Sequence, residues 1–210
     1  MDKAEALHIG ANDVVRLAGG AVLLRGGALG AESGLIASLG RVQHRAPFRH
    51  MRTPGGGAMS VAITNCGLRG WISDRNGYRY ERSDPITGQA WPKMPNAFRE
   101  LAIELAGMAG YLDFEPDVCV IKKYAPEVRS ALHQDDKGAR GPIVSISLGM
   151  SATFQLGGPV HNSPPACHPL HHGDVVIRGG PSRLFYHGSS EPHGPPHPEL
   201  GARRIDLCFG

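Results

Sequence analysis

The chain has 210 residues, 41% hydrophobic and 20% charged, a composition that suits one folded domain with a single core and excludes a disordered or fibrous protein. Its 22 Lys and Arg against 19 Asp and Glu leave a formal charge of +3, which permits contact with phosphates without requiring it. Four scattered cysteines, Cys66, Cys119, Cys167 and Cys208, form no CxxC pair; this excludes a zinc ribbon and a disulfide framework and reads as reduced thiols.

The N-terminus, MDKAEALHIGANDVV, carries early acidic residues and no long apolar run, so neither a signal peptide nor a membrane span is expected, and a cytoplasmic protein follows. A first helix is predicted from Ala31 to about Arg41. Residues 50–82 combine a TPGGG turn, a strand-like MSVAIT and aromatic side chains among basic ones, a pattern that suits a cover over a site better than a core. A second helix is predicted from Pro95 to Ala109: Pro sits in its first turn, Phe98, Leu101, Ala102 and Leu105 share a face, and Gly110 follows. Beyond Gly110 the pattern becomes β-rich, with runs at 118–124, 143–148, 153–156, 174–177, 184–187 and 204–209, and this half is expected to form a double-sheet barrel. The Pro- and His-rich stretch 191–198 reads as a surface loop. With 29 Gly and 17 Pro spread throughout and no internal repeat, many short strands joined by turns are favoured over a helical bundle.

In LHQDD, His133 and Asp135 stand two apart, which on an extended strand puts both side chains on one face and within reach of one ion. Two histidines and one carboxylate on one face of a metal are the facial triad of non-haem Fe(II) oxygenases, and His187, ending RLFYH, can supply the third ligand. A rival pair exists in HHGDVVI, where His172 and Asp174 could meet His187 if strands 174–177 and 184–187 formed a hairpin. Gly173 between them suggests instead a turn in which Asp174 caps backbone amides.

The segments TPGGG, MSVAITNCG, GWISDRNGYRY, WPKMP, KYAP, LHQDD, PIVSISLG, FQLGG, HGDVV and GGPSRLFYHG, in that order from about Phe48 to the C-terminus, resemble the AlkB family of nucleic-acid demethylases. The resemblance implies an α+β fold: a double-stranded β-helix, or jelly-roll, core with N-terminal helices and a nucleotide-recognition lid. It divides the single domain into an N-terminal extension and helix (1–47), the lid (48–92) and a helix plus jelly-roll core (93–210). It assigns His133, Asp135 and His187 to Fe(II), with 2-oxoglutarate as cosubstrate and O2 as oxidant, and Arg204 and Tyr124 to the far carboxylate of 2-oxoglutarate.

On RIDLCF, Arg204, Asp206 and Cys208 share one face and Ile205, Leu207 and Phe209 the other; Tyr124 shares a face with Lys122. Three positions depart from the family pattern: Lys122 and Asp206 where asparagine is common, and Gly210 where a second cosubstrate-binding arginine is expected. The changes can offset one another, since Asp206 adds a negative charge while Lys122 restores a cation. Native residues beyond Gly210, or weak cosubstrate binding, are the alternatives.

The resemblance further implies that Trp71 stacks on a flipped-out base whose other face meets His133, with Tyr78, Met59 and His161 also toward the substrate. A methylated adenine or cytosine is cationic, which an indole face attracts, and the Gly70-Trp71 turn argues that this tryptophan is exposed. Arg52, Arg69 and Arg75 are candidates for phosphate contact. Lys137 stands where some relatives carry an acidic base-recognising residue, with Asp136 beside it. The implied reaction is oxidative demethylation of N-alkylated bases in DNA, single-stranded preferred, and in RNA, by a monomer with no membrane partner. A nucleic-acid-binding pseudoenzyme and a dioxygenase acting on protein or a small metabolite are the rival readings.

Overall fold

The computed structural model describes residues 13–135 and 141–210; Asp136, Lys137 and residues 1–12 of the N-terminal extension lie outside the described residues. The strands are β1 (Val14–Ala18), β2 (Ala21–Leu24), β3 (Arg49–Arg52), β4 (Ala58–Gly67), β5 (Gly70–Asp74), β6 (Gly77–Glu81), β7 (Val118–Tyr124), β8 (Ser130–His133), β9 (Ile143–Gly149), β10 (Ala152–Leu156), β11 (Ala166–Leu170), β12 (Val175–Arg178), β13 (His187–Ser189) and β14 (Arg204–Phe209). Two helices, α1 (Glu32–Arg45) and α2 (Asn96–Met108), lie in the first half of the chain.

Eight strands form a large sheet in the order β1-β2-β12-β9-β14-β7-β4-β3, and four form a smaller one in the order β11-β10-β13-β8. Strand alternation gives the large sheet two distinct faces. Ile121, Val144, Ile146, Leu148, Val175, Ile177, Ile205, Leu207 and Phe209 join Leu35, Leu39 and Val42 of α1 and Phe98, Leu101 and Leu105 of α2 in the main core. The Phe98 ring meets Phe209 edge-on, centroids 6.0 Å apart at 88°. On the opposite face Leu23 and Val176 pack against Phe154, Leu156 and Leu170 of the small sheet. This two-sheet architecture is the expected jelly roll.

The structure departs from the local sequence pattern at residues 184–187 and adds detail elsewhere. Residues 184–187 are not a strand: Gly180, at φ +50°, and the proline after it set a single-turn helix over Gly180–Leu184, and the next strand begins only at His187. No hairpin joins 174–177 to 184–187, because β12 pairs with β2 and β9 in the large sheet while β13 pairs with β8 and β10 in the small one. The segment from residue 48 to 92 divides: β4 pairs with β7 in six register positions and belongs to the large sheet, and β5–β6 forms a separate hairpin. The strands β1, β2 and β11 carry no clear period in the sequence. Helix α1 runs past Arg41 to Arg45 because Val42 is one more buried contact on its inward stripe.

Candidate active site

His133 ends β8 and His187 begins β13, and the two are direct partners across this antiparallel pair. Their ring centroids are 4.4 Å apart at 46°. Gly188 permits this approach: a Cβ there would stand 2.5 Å from the Ser130 carbonyl oxygen. Asp135 lies just past β8, its Oδ2 3.4 Å from His187 Nε2. One ligand atom from each of His133, Asp135 and His187 falls within 4.8 Å of the others.

The hydrogen bonds fix the tautomers. Nδ1 of His133 lies 2.9 Å from the Ala131 carbonyl and Nδ1 of His187 lies 3.1 Å from the Phe185 carbonyl. A carbonyl only accepts, so each Nδ1 carries the proton and each Nε2 keeps its lone pair, the arrangement that metal-binding histidines require. Burial lowers the pKa of both imidazoles, helped at His187 by Arg178 and at His133 by Lys122. Burial alone would raise the Asp135 carboxyl, but the attraction of Arg178, His187 and Lys122 outweighs it and holds the group far below the usual carboxylate range. Neutral imidazoles and an ionised carboxylate are what a divalent cation needs.

Among the described residues Glu32, His172 and His197 also bring three ligand atoms within 4.8 Å of one another. Here the tautomers are reversed. Nδ1 of His172 accepts from the Gly149 amide at 2.9 Å, and Nδ1 of His197 accepts from the Glu199 and Leu200 amides at 3.3 Å. Each Nε2 therefore carries a proton and faces the Glu32 carboxylate, at 3.4 and 3.1 Å. That is a clasp between α1 and two loops, not a metal site. Asp174 of the rival pair accepts from the Gly26 and His171 amides at 2.8 and 2.9 Å and pairs with Arg25 at 2.6 Å, the capping role its neighbouring glycine suggested.

Beside the His133–His187 pair a cavity is lined by Lys122 and Tyr124 of β7, Arg204, Asp206 and Cys208 of β14, Ser145 of β9, Phe154, Ser189 and Arg178. Register builds this wall, since Asp206 is the cross-strand partner of both Lys122 and Ser147, and Arg204 that of Tyr124. Arg204 is 3% exposed, stacks over Tyr124 at 5.2 Å and donates to Ser147 Oγ at 3.0 Å. Its Nε is buried and has no hydrogen-bond partner among the described residues, so a donor remains for a carboxylate. Burial raises the Tyr124 phenol, which keeps its proton and can donate. Burial would lower the Lys122 ammonium, but Cys208, Tyr124, Asp206 and Asp135 around it raise it, so it stays charged. Asp206 is held low, its burial overcome by Arg204, Lys122 and a hydrogen bond from Ser145. A divalent metal beside a cation-lined cavity fits a small dianion that bridges the two.

The sequence profile of the 2OG-Fe(II) oxygenase superfamily matches residues 21–209. The chain is 49% identical to the alpha-ketoglutarate-dependent dioxygenase AlkB of Escherichia coli (strain K12) over 195 residues, covering 92% of this chain and 90% of that protein. Identity to the protein of the same name from Salmonella typhimurium is 47% over equal shares. The chain belongs to the AlkB family of 2OG-Fe(II) oxygenases. A solved structure of OsALKBH1 superimposes with a TM-score of 0.81 at 26% identity, covering 93% of this chain and 98% of that one. As a member of the family the enzyme is a dioxygenase that uses Fe(II), 2-oxoglutarate and O2.

The residues that the family resemblance placed toward the substrate sit apart from the cavity lining. Trp71 on β5 is half-buried rather than exposed, because its ring stacks on Tyr78 of β6, centroids 5.7 Å apart at 15°, and packs with Met59 against the Val61–Ile63 cluster. Tyr78 is 60% exposed, so the stack presents an outer aromatic face. His161 is exposed and meets the Tyr186 ring edge-on at 5.0 Å. Of the three arginines read as candidates for phosphate contact, Arg69 is paired with Asp117, whereas Arg52 donates to the Gly56 carbonyl.

Arg178, Ser145 and Ser147 were missed at the sequence level. A signal for Arg178 existed: it shares a strand face with Val176, so an arginine at the end of VVIR had to enter the space between the sheets.

Proposed function

We propose that this oxygenase removes N-methyl groups from alkylated bases of the 1-methyladenine and 3-methylcytosine type in DNA, with single strands favoured, and in RNA, releasing formaldehyde, succinate and CO2. The observation that carries the reading is the convergence of two Nε2 lone pairs and the Asp135 carboxylate beside a cavity with an unpartnered arginine donor. It fits Fe(II) held by His133, Asp135 and His187, with the open positions left to cosubstrate and oxygen.

Iron, with 2-oxoglutarate and oxygen, supplies the oxidising power that hydroxylates the N-methyl carbon; the hydroxymethyl group then leaves as formaldehyde. The chain's own residues place the reactants. Arg204 and Tyr124 would receive the far carboxylate of 2-oxoglutarate, and Lys122 would supply the second cation, with Asp206 keeping Lys122 and Arg204 from repelling each other across the strand pair. With Nδ1 protonated and Nε2 committed to the metal, neither histidine would have a free lone pair to act as a base toward the methyl group. Trp71 and Tyr78 would offer an aromatic platform to the cationic base, with Met59 and His161 at its margin and Arg52 and Arg75 toward phosphate.

Four free cysteines suit a reducing compartment, and no helix among the described residues is long and apolar enough to cross a membrane. The cysteines support an enzyme working in the cytoplasm on damaged nucleic acid, where we take it to act as a monomer.

The test is to incubate the iron-loaded protein with 2-oxoglutarate and a single-stranded oligonucleotide carrying 1-methyladenine and to weigh the product. Loss of one methyl-to-hydrogen mass difference with equimolar formaldehyde is expected. Oligonucleotide binding without mass change would favour a non-catalytic binder, against which the complete donor set argues.

A further inference from the structure

Arg178, the last residue of β12, is 3% exposed. Its side chain crosses between the sheets, and Nη2 donates to Asp135 Oδ2 at 2.6 Å while lying 3.1 Å from His187 Nε2. Because His187 Nδ1 is committed as donor to the Phe185 carbonyl, Nε2 offers one lone pair, and Arg178 takes it. A metal ion bound by His187 needs that same lone pair. A guanidinium stays protonated and cannot ligate, so the Arg178 hydrogen bond and a metal bond exclude each other at Nε2. Asp135 is different: it has two oxygens, and Oδ1 remains for a metal while Oδ2 stays on Arg178.

We infer that Arg178 is a positioning residue that gates metal loading. It holds Asp135 and His187 together ahead of the metal, releases His187 when the metal binds, and keeps Oδ2 of Asp135, so that this carboxylate ligates through one oxygen. A fixed cation then remains beside the divalent ion and holds its affinity down. Arg178 is thus a reason for this chain to bind metal less tightly than three converging ligands would by themselves.

The inference rests on reading His133, Asp135 and His187 as the metal ligands, and one titration separates the two. Mn(II) is added to wild type, Arg178→Met, Arg178→Lys and His187→Ala, with free Mn(II) read by electron paramagnetic resonance; this needs no oxygen, cosubstrate or turnover. Wild type is expected to bind one Mn(II) that His187→Ala loses. Arg178→Met is expected to bind it about tenfold tighter or more, and Arg178→Lys, which keeps the charge, to stay near wild type. Equal or weaker affinity in Arg178→Met overturns the gate while leaving the ligand assignment intact; Mn(II) binding that survives His187→Ala overturns the assignment itself and the gate with it. Should Arg178→Met fail to fold, the wild-type protein decides: the guanidinium resonance of Arg178 must shift on Zn(II) addition, and a resonance unmoved at saturation overturns the gate.

Discussion

His133 and His187 face each other across β8 and β13 with ring centroids 4.4 Å apart, each imidazole pinned by a backbone carbonyl two residues before it. Strand pairing sets the distance and the carbonyls set the tautomer, so neither ring has to reorganise to present a lone pair.

Replacing either histidine, or Asp135, by alanine should cut iron content and turnover by at least the ~10- to 100-fold that loss of a ligand's supporting partner costs. Asp174→Ala and His197→Ala should keep iron. Asp174→Ala instead leaves the Gly26 and His171 amides and Arg25 without their partner, and a loss of about 1–3 kcal/mol in a denaturant melt is expected. Iron lost in Asp174→Ala and kept in Asp135→Ala would reverse the assignment.

Cosubstrate affinity should depend on both cations of the β7–β14 wall. Arg204→Ala removes charge-assisted hydrogen bonds worth roughly 1.5–3 kcal/mol, a weakening of about 10- to 150-fold in 2-oxoglutarate binding by calorimetry. Lys122→Ala should weaken it in the same direction. An unchanged affinity in Lys122→Ala would remove the idea that this lysine stands in for a second arginine.

The metal-free protein should lose stability in mild acid. Burial lowers the folded-state pKa of His133 and His187 below their ordinary value of 6.5. Above that value neither folded nor unfolded chain protonates these rings and stability is flat. As pH falls below it the unfolded chain takes up protons that the folded one refuses, so stability drops until the folded pKa is reached. Thermal melts from pH 8 to pH 5 should show a falling Tm, and His187→Ala should flatten the slope.

Trp71→Ala should weaken binding of a methylated oligonucleotide by the ~1–3 kcal/mol that base–aromatic stacking carries, and Tyr78→Ala should act in the same direction because its ring is the exposed half of the stack. Slow 2-oxoglutarate decarboxylation in the absence of nucleic acid should be untouched by either. Equal loss of that background activity would move Trp71 from substrate contact to scaffold.

Phe98→Ala should destabilise the enzyme by about 3–5 kcal/mol, since this ring is fully buried against Phe209 and ties α2 to the sheet. Chemical unfolding measures it, and a change under ~1 kcal/mol would show that α2 is not part of the main core.

Local alternation made much of the site legible. On RIDLCF and VCVIKKY a period of two separates Arg204, Asp206, Lys122 and Tyr124 from the residues that meet the helices, and the structure keeps that separation at every position. Trp71 was harder, because its exposure depends on Tyr78 from the neighbouring strand covering it. Residues 184–187 were harder still: LFYH has strand composition, but the Gly-Pro step before it sets a helical turn.

By itself, then, the sequence determined the faces of the strands, the two helices and the residue types able to ligate iron, because those depend on periods and spacings within a few residues. Only the tertiary structure decided which HxD pair meets His187, since both pairs have the same spacing and only sheet membership separates them. Only it, too, placed Arg178 against Asp135 and set opposite tautomers in the two histidine clusters. A hydrogen bond across the barrel depends on how two sheets stack, and no period in one strand encodes its partner in another.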